Sequence, residues 1–307
     1  MGYTNWSKSA YANLKADYSK KSTNAIFKSN TTRKIANDMN PYGLSFRESR
    51  DSTAHPNSLA ISVFLDVTGS MRNIPEHLIR HKLGSLMDTL LDHGVEDPQV
   101  LFAAIGDHIS DRAPLQVGQF ESGTDELNHC LSSIYLEGGG GGQVMESYLL
   151  AWLIAGRHTS IDCYEKRNKK GFLFTMGDEM SWDEVDAERL KGIMGYSEAT
   201  SVSAKDLLAQ AQRMYHVFHI HVNEASYRDD PRIIGYWRDL LGENLLILDD
   251  QNAIAELIAS TIAVIHGVKL DKVAAGFDHS TAKAVKKALV NISGGSLSQQ
   301  NSGIIKL

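Results

Sequence analysis

Asp66, Thr68 and Ser70 place one carboxylate and two hydroxyls at alternate positions of the stretch Ile61-Ser-Val-Phe-Leu-Asp-Val-Thr-Gly-Ser-Met71. An all-oxygen donor set suits a hard cation such as Mg²⁺, which takes six oxygens in a near-octahedron and keeps several waters. The stretch is apolar, β-branched and aromatic up to Asp66, which predicts a buried strand. Gly69 permits a sharp bend after it, and the pattern from about Ile74 to Leu91 predicts a helix. The donors thus fall on a strand-to-helix turn, at the strand end where open α/β sheets bind ligands. The same residue types also serve simply as caps of the following helix.

Asp66-Val-Thr-Gly-Ser70 resembles the first metal loop, Asp-x-Ser/Thr-x-Ser, of von Willebrand factor type A domains. In that family the loop belongs to a metal-ion-dependent adhesion site, to which a second loop adds a Thr and a third an Asp. Both further loops depart from the pattern here. The stretch Gly138 to Ser147 resembles the form Gly-Gly-Gly-Asp-Thr-Pro-Glu-Ser of some intracellular relatives. Gln143 takes its Asp place and Val144 its Thr place. Val144 has no donor, so the Gln143 carbonyl, a glycine carbonyl or a water is expected instead. Glu146 and Ser147 match the form and are expected on the first turn of the next helix, where a carboxylate also favours the helix dipole. In Phe174-Thr-Met-Gly-Asp178, Met176 stands where the Asp is expected. Asp178 comes two residues later, on the same face of a strand. Asp107 ends a second strand and is expected to orient a ligand or hold a metal-bound water, or to serve its turn. The resemblance therefore implies Asp66, Thr68, Ser70, Gln143 and Asp178 as ligands, with Asp107 and Glu146 behind them. The implied cation is Mg²⁺, with Mn²⁺ or Ca²⁺ as alternatives.

Strands at Val100–Ile105, Gly171–Met176, His216–Val222 and Asn244–Leu248 alternate with helical patterns. This predicts an α/β fold, a doubly wound, mainly parallel sheet flanked by helices. The von Willebrand resemblance, Rossmann-like in fold, covers residues 58–268. Ala113 to Phe120 reads as an edge strand, because Pro114 would harm a central one. Residues 1–57 form a polar N-terminal strap. Residues 269–307 form a basic helix and a loose Gly/Ser/Gln-rich tail.

Composition narrows the function. The 31 Lys and Arg against 37 Asp and Glu leave a formal charge of −6, which argues against a nucleic-acid partner. Five glycines, Gly138 to Gly142, are not followed by the Gly-Lys-Ser/Thr of a phosphate loop. His216, His219 and His221 are expected as ordinary strand histidines, since no further zinc ligand is at hand. Cys130 and Cys163 show no CxxC or zinc spacing and fit a reducing compartment. The N-terminus lacks an apolar signal core and no apolar run is long enough to span a bilayer, so a cytoplasmic location without a membrane partner is expected. The leading reading is a metal-dependent protein-binding module whose cation is completed by an acidic residue of a partner. The resemblance adds a separate AAA+ ATPase of the MoxR kind as a partner. One alternative is a metal-assisted phosphoester hydrolase using Asp66, Asp107, Asp178 and Glu179, although these loops carry no positioned Lys or Arg to stabilise a phosphoryl transition state. The other is a metal-free scaffold.

Overall fold

The structure is a computed structural model and describes residues 4–138, 144–224 and 226–292. Six strands build the central sheet: β1 Leu59–Asp66, β2 Pro98–Ile105, β3 Leu115–Glu121, β4 Gly171–Gly177, β5 Tyr215–Val222 and β6 Leu245–Leu248. Their order is β6-β5-β4-β1-β2-β3. Every residue of β1, β2 and β4 is buried, so these strands are covered on both faces. Their continuous apolar runs have that cause.

Five strands run parallel, and β3 runs antiparallel to β2 at the edge. Residues 106–114 link β2 to β3, fewer than the dozen or more that a parallel crossover needs. The pairing is further broken by a bulge between Leu101 and Ala103. The expectation of a doubly wound, mainly parallel Rossmann-like sheet of the von Willebrand type is corrected accordingly: the sheet is mixed. The edge position of β3 matches the expectation from Pro114.

The longer helices are α1 Lys8–Tyr18, α2 Leu83–Asp92, α3 Thr124–Ser133, α4 Leu149–Arg157, α5 Ala187–Met194, α6 Ala204–Met214, α7 Pro231–Leu241, α8 Ile254–Ile265 and α9 His279–Ala288. Helix α2 packs on α8, and α4 on α6. The single helix expected from about Ile74 to Leu91 is interrupted. A 3₁₀ turn, Gly69–Arg72, leads into Asn73–His77, which widens to a π-helical turn at Leu78–Lys82 before α2. Such widened turns interrupt helices, often at functional sites.

The polar N-terminal strap is anchored by its few apolar residues. Tyr11, Tyr18, Phe27 and Met39 join the main core. The Tyr18 hydroxyl donates to Asn128 Oδ1 at 2.6 Å, and Trp6 Nε1 donates to Asp88 at 2.9 Å. Arg47–Ser49 pairs in parallel with Thr159–Ile161. Arg50 bonds Glu48, Asp162 and Glu165. At the other end, Lys287 of α9 pairs with Asp249. The tail expected to be loose, residues 293–307, lies outside the described residues.

Candidate functional site

The register of the sheet brings three acidic turns to one edge. Asp66 ends β1 opposite Ile105 of β2, so Asp107 follows close beside it. Leu65 pairs with Met176, so Asp178 emerges just beyond the end of β4. A fourth acid arrives differently. Met145–Glu146 forms a two-residue ladder with Met180–Ser181, which holds Glu146 against the loop after β4. Glu146 is therefore on a short strand and not on the first turn of α4, and the helix-dipole role expected for it falls away.

Asp66 is 1% exposed. Its Oδ1 accepts from the Thr68 amide at 2.8 Å and the Thr68 hydroxyl at 2.7 Å. Its Oδ2 accepts from the Tyr148 hydroxyl at 3.0 Å. Thr68 Oγ1 also lies 3.1 Å from Glu146 Oε1. A hydroxyl has one proton to give, so one of the two contacts needs a proton from the other side. Glu146 supplies it. Burial, followed by the charges of Asp66 and Glu179, pushes its carboxyl up to about 10, so it is protonated at neutral pH and can donate to Thr68. Burial raises Asp66 to about 7, with Asp178 adding to the shift and Thr68 opposing it. Burial also pushes Glu179 up to about 8, helped by Asp66 and Asp178.

Three carboxylate oxygens at this edge are buried without a partner: Glu146 Oε2, Asp178 Oδ2 and Glu179 Oε2. Asp178 itself is 4% exposed. Its carboxylate accepts the backbone amides of Ser226 and Tyr227, and burial still raises it overall. Unpaired buried polar atoms are costly, so the cluster stores unsatisfied charge-accepting capacity.

Asp107 is used by its own turn. Oδ1 accepts from the Ile109 amide at 3.0 Å and Trp182 Nε1 at 2.9 Å, and Oδ2 accepts from Ser110 Oγ at 2.8 Å. Asp107→Ala would leave three donors unmatched and is expected to cost roughly 1–3 kcal/mol, measurable as a shifted urea midpoint with unchanged slope. The Ser70 side chain and Gln143 lie outside the described residues. Among the described residues, no three His, Cys, Asp or Glu side chains are placed to hold a metal ion. The metal-ion-dependent adhesion site is corrected on that ground. In this structure the oxygens of Asp66 accept from Thr68 and Tyr148, and the Thr68 hydroxyl sits between Asp66 and Glu146.

Tyr148 is the functional neighbour that the sequence did not single out. Its ring is fully buried, edge-on to His219 at 5.0 Å and to Trp237 at 5.5 Å. His219 stacks on Trp237 at 3.6 Å, and its Nδ1 lies 2.9 Å from Thr175 Oγ1. Burial holds its pKa well below the ordinary value, so it is a neutral filler of the core, as expected of a strand histidine.

Comparison with known proteins assigns no family: no family model and no curated protein matches this sequence. Among solved structures, the pilus adhesin SpaC from Lactobacillus rhamnosus GG matches in its open conformation with a TM-score of 0.45 and 10% identity. A second form of that adhesin matches with a TM-score of 0.46 and 10% identity. Each match covers 70% of this chain and 31% of the adhesin, so this chain spans under a third of the adhesin's length. Likeness at this level carries no argument about function. Because no family model and no curated protein matches, the expected membership of the von Willebrand type A family is withdrawn.

Proposed function

We propose that this chain is a protein-binding module whose partner docks at the carboxylate-lined edge of the sheet, with a divalent cation, Mg²⁺ or else Mn²⁺ or Ca²⁺, as the countercharge. The observation that carries this reading is the set of buried, unpartnered oxygens on Glu146, Asp178 and Glu179. The donor set differs from the one expected from sequence. No three of these acids converge on one point among the described residues, so the unpartnered oxygens of Glu146, Asp178 and Glu179 are an incomplete set that needs the partner's own donor, with Asp66 and Thr68 behind them. A hard cation favours oxygen donors and would draw the protons off these acids. A carboxylate from the partner would then complete the coordination. The MoxR-type ATPase rested on the family resemblance alone and is not part of this proposal.

Calorimetric titration with Mg²⁺ and then Mn²⁺ tests the reading. Wild type should bind saturably and release protons, and Glu146→Gln and Asp178→Asn should each bind at least about tenfold more weakly. Absence of heat in the wild type, or equal binding in all three proteins, would overturn it.

No helix among the described residues is long and apolar enough to cross a membrane. We propose a cytoplasmic location, which the free and buried Cys130 and Cys163 support.

A further inference from the structure

A second site lies next to the acid cluster and does not depend on it. The N-terminal arm and the loops beyond β1 and before β3 enclose a cleft of about 780 Å³. Small-molecule sites fall in this size range. Asn30 and Arg33 line it from the arm, and Asn73, Arg112 and Tyr135 from the main domain.

The walls are fixed before any ligand arrives. Asn30 Oδ1 accepts the Leu136 amide at 2.9 Å and ties the arm to the opposite wall. Tyr135 is pinned on both sides of its backbone by the Gln116 side chain, each bond 2.8 Å. Arg33 is held at φ 52°, a left-handed conformation in a non-glycine residue. This left-handed residue closes the helical turn Ser29–Thr32, as helix ends commonly do.

The charges in the cleft are unspent. The guanidiniums of Arg33 and Arg112 are exposed, and neither has a hydrogen bond or ion pair among the described residues. Glu76, on the same wall, is already taken by Arg80 at 2.7 Å and by the Thr23 hydroxyl at 2.8 Å. The Glu137 carboxylate accepts the backbone amides of Arg112 and Ala113, and its Oε2 is buried without a partner. Two free planar cations match the paired oxygens of a phosphate better than a lone lysine would. A free acceptor beside them suits a hydroxyl of the same ligand.

We propose that this cleft binds a small phosphorylated sugar, its phosphoryl oxygens held between Arg33 and Arg112 and a hydroxyl donating to Glu137. The phosphate could belong to a free sugar phosphate or to a nucleotide, and the probes separate the two.

Binding is measured by calorimetry in the presence of a chelator, so the result is independent of the cation reading above. The probes are ribose 5-phosphate, AMP and ribose. Saturable binding of ribose 5-phosphate at millimolar concentration or below is expected, with none for ribose. Tighter binding of AMP would assign the nucleotide, and equal or weaker binding the sugar phosphate. Arg33→Gln and Arg112→Gln should each weaken binding by about tenfold or more, while their melting temperatures stay at the wild-type value because both side chains are exposed. Failure of both phosphorylated probes to bind, or binding unchanged in the double variant, would overturn the proposal.

Discussion

Gly177→Ala is expected to lower stability by roughly 3–4 kcal/mol, a large effect for one methyl group. Gly177 ends β4, with β5 pairing at His221 on one side. A Cβ at this position would overlap the Tyr148 hydroxyl and lie 2.8 Å from Asp66 Oδ2. Tyr148 has nowhere to retreat, because its ring is wedged against His219 and Trp237. The strand must therefore shift, or the Tyr148–Asp66 bond must break and leave a buried carboxylate short of a donor. Tyr148→Phe alone removes that donor and should cost about 1–3 kcal/mol. The two changes should not add. In Gly177→Ala/Tyr148→Phe the atom that clashes is gone, so the double variant should be more stable than the sum of the singles by about 1 kcal/mol or more. Urea unfolding of the four proteins closes the cycle. Additivity within about 0.5 kcal/mol would show that Tyr148 and Gly177 do not meet as described.

The frame around this glycine was legible in the sequence where periodicity and burial are coupled. The strands ending at Asp66, Ile105 and Gly177 are continuous apolar runs because both faces of each are covered, and no other burial state produces that pattern. The edge strand after Pro114 was legible for a related reason: proline has no amide to give to a second neighbour. The direction of that strand was not anticipated, although the short link 106–114 contains the information. The site was read less well. A motif fixes residue types along the chain but not what stands across from them. Asp66 and Thr68 lie where the motif puts them, yet Tyr148 closes on Asp66 from a different element, and nothing in Ser147-Tyr148-Leu149 signals a hydroxyl aimed at a carboxylate. Glu146 was recognised but placed on a helix, because a two-residue ladder is too short to show a period. The strap expected at residues 1–57 reads as polar, and its attachment depends on a few aromatic residues whose spacing resembles any amphipathic turn.

In a chelator, the melting temperature is expected to fall as pH rises from 7 to 9. Glu146, held up to about 10, and Glu179, held up to about 8, keep protons in the native state that the unfolded chain has already lost. The native state then binds more protons than the unfolded one, so stability decreases with pH across the window between the ordinary carboxylate range and these raised values. Below pH 7 the trend is masked. Burial lowers His216 to about 4 and pulls His219 and His221 down as well, so the unfolded chain takes up protons there and stability rises with pH toward the ordinary histidine value. The carboxylates held low, such as Asp51 and Asp162, have finished titrating well before pH 7. Just above pH 7 the cluster is therefore left to set the slope, and toward pH 9 the thiols of Cys130 and Cys163, also held up by burial, add to it with the same sign. Glu146→Gln should flatten it and stabilise the protein by roughly 1–3 kcal/mol at pH 9, since each retained proton contributes about 1.4 kcal/mol per pH unit. A neutral side chain of the same shape keeps the contact with Thr68 and has no proton to lose on unfolding. A variant that melts below wild type at pH 9 would mean that the Glu146 charge is compensated in the native state. Mg²⁺ should act with the opposite sign, raising the melting temperature of the wild type more at pH 9 than at pH 7, because ionised acids bind it best. The amide that stabilises the chelated protein should abolish this gain. Retaining an acid that weakens the fold is then the expected cost of a site that becomes satisfied only when its countercharge arrives.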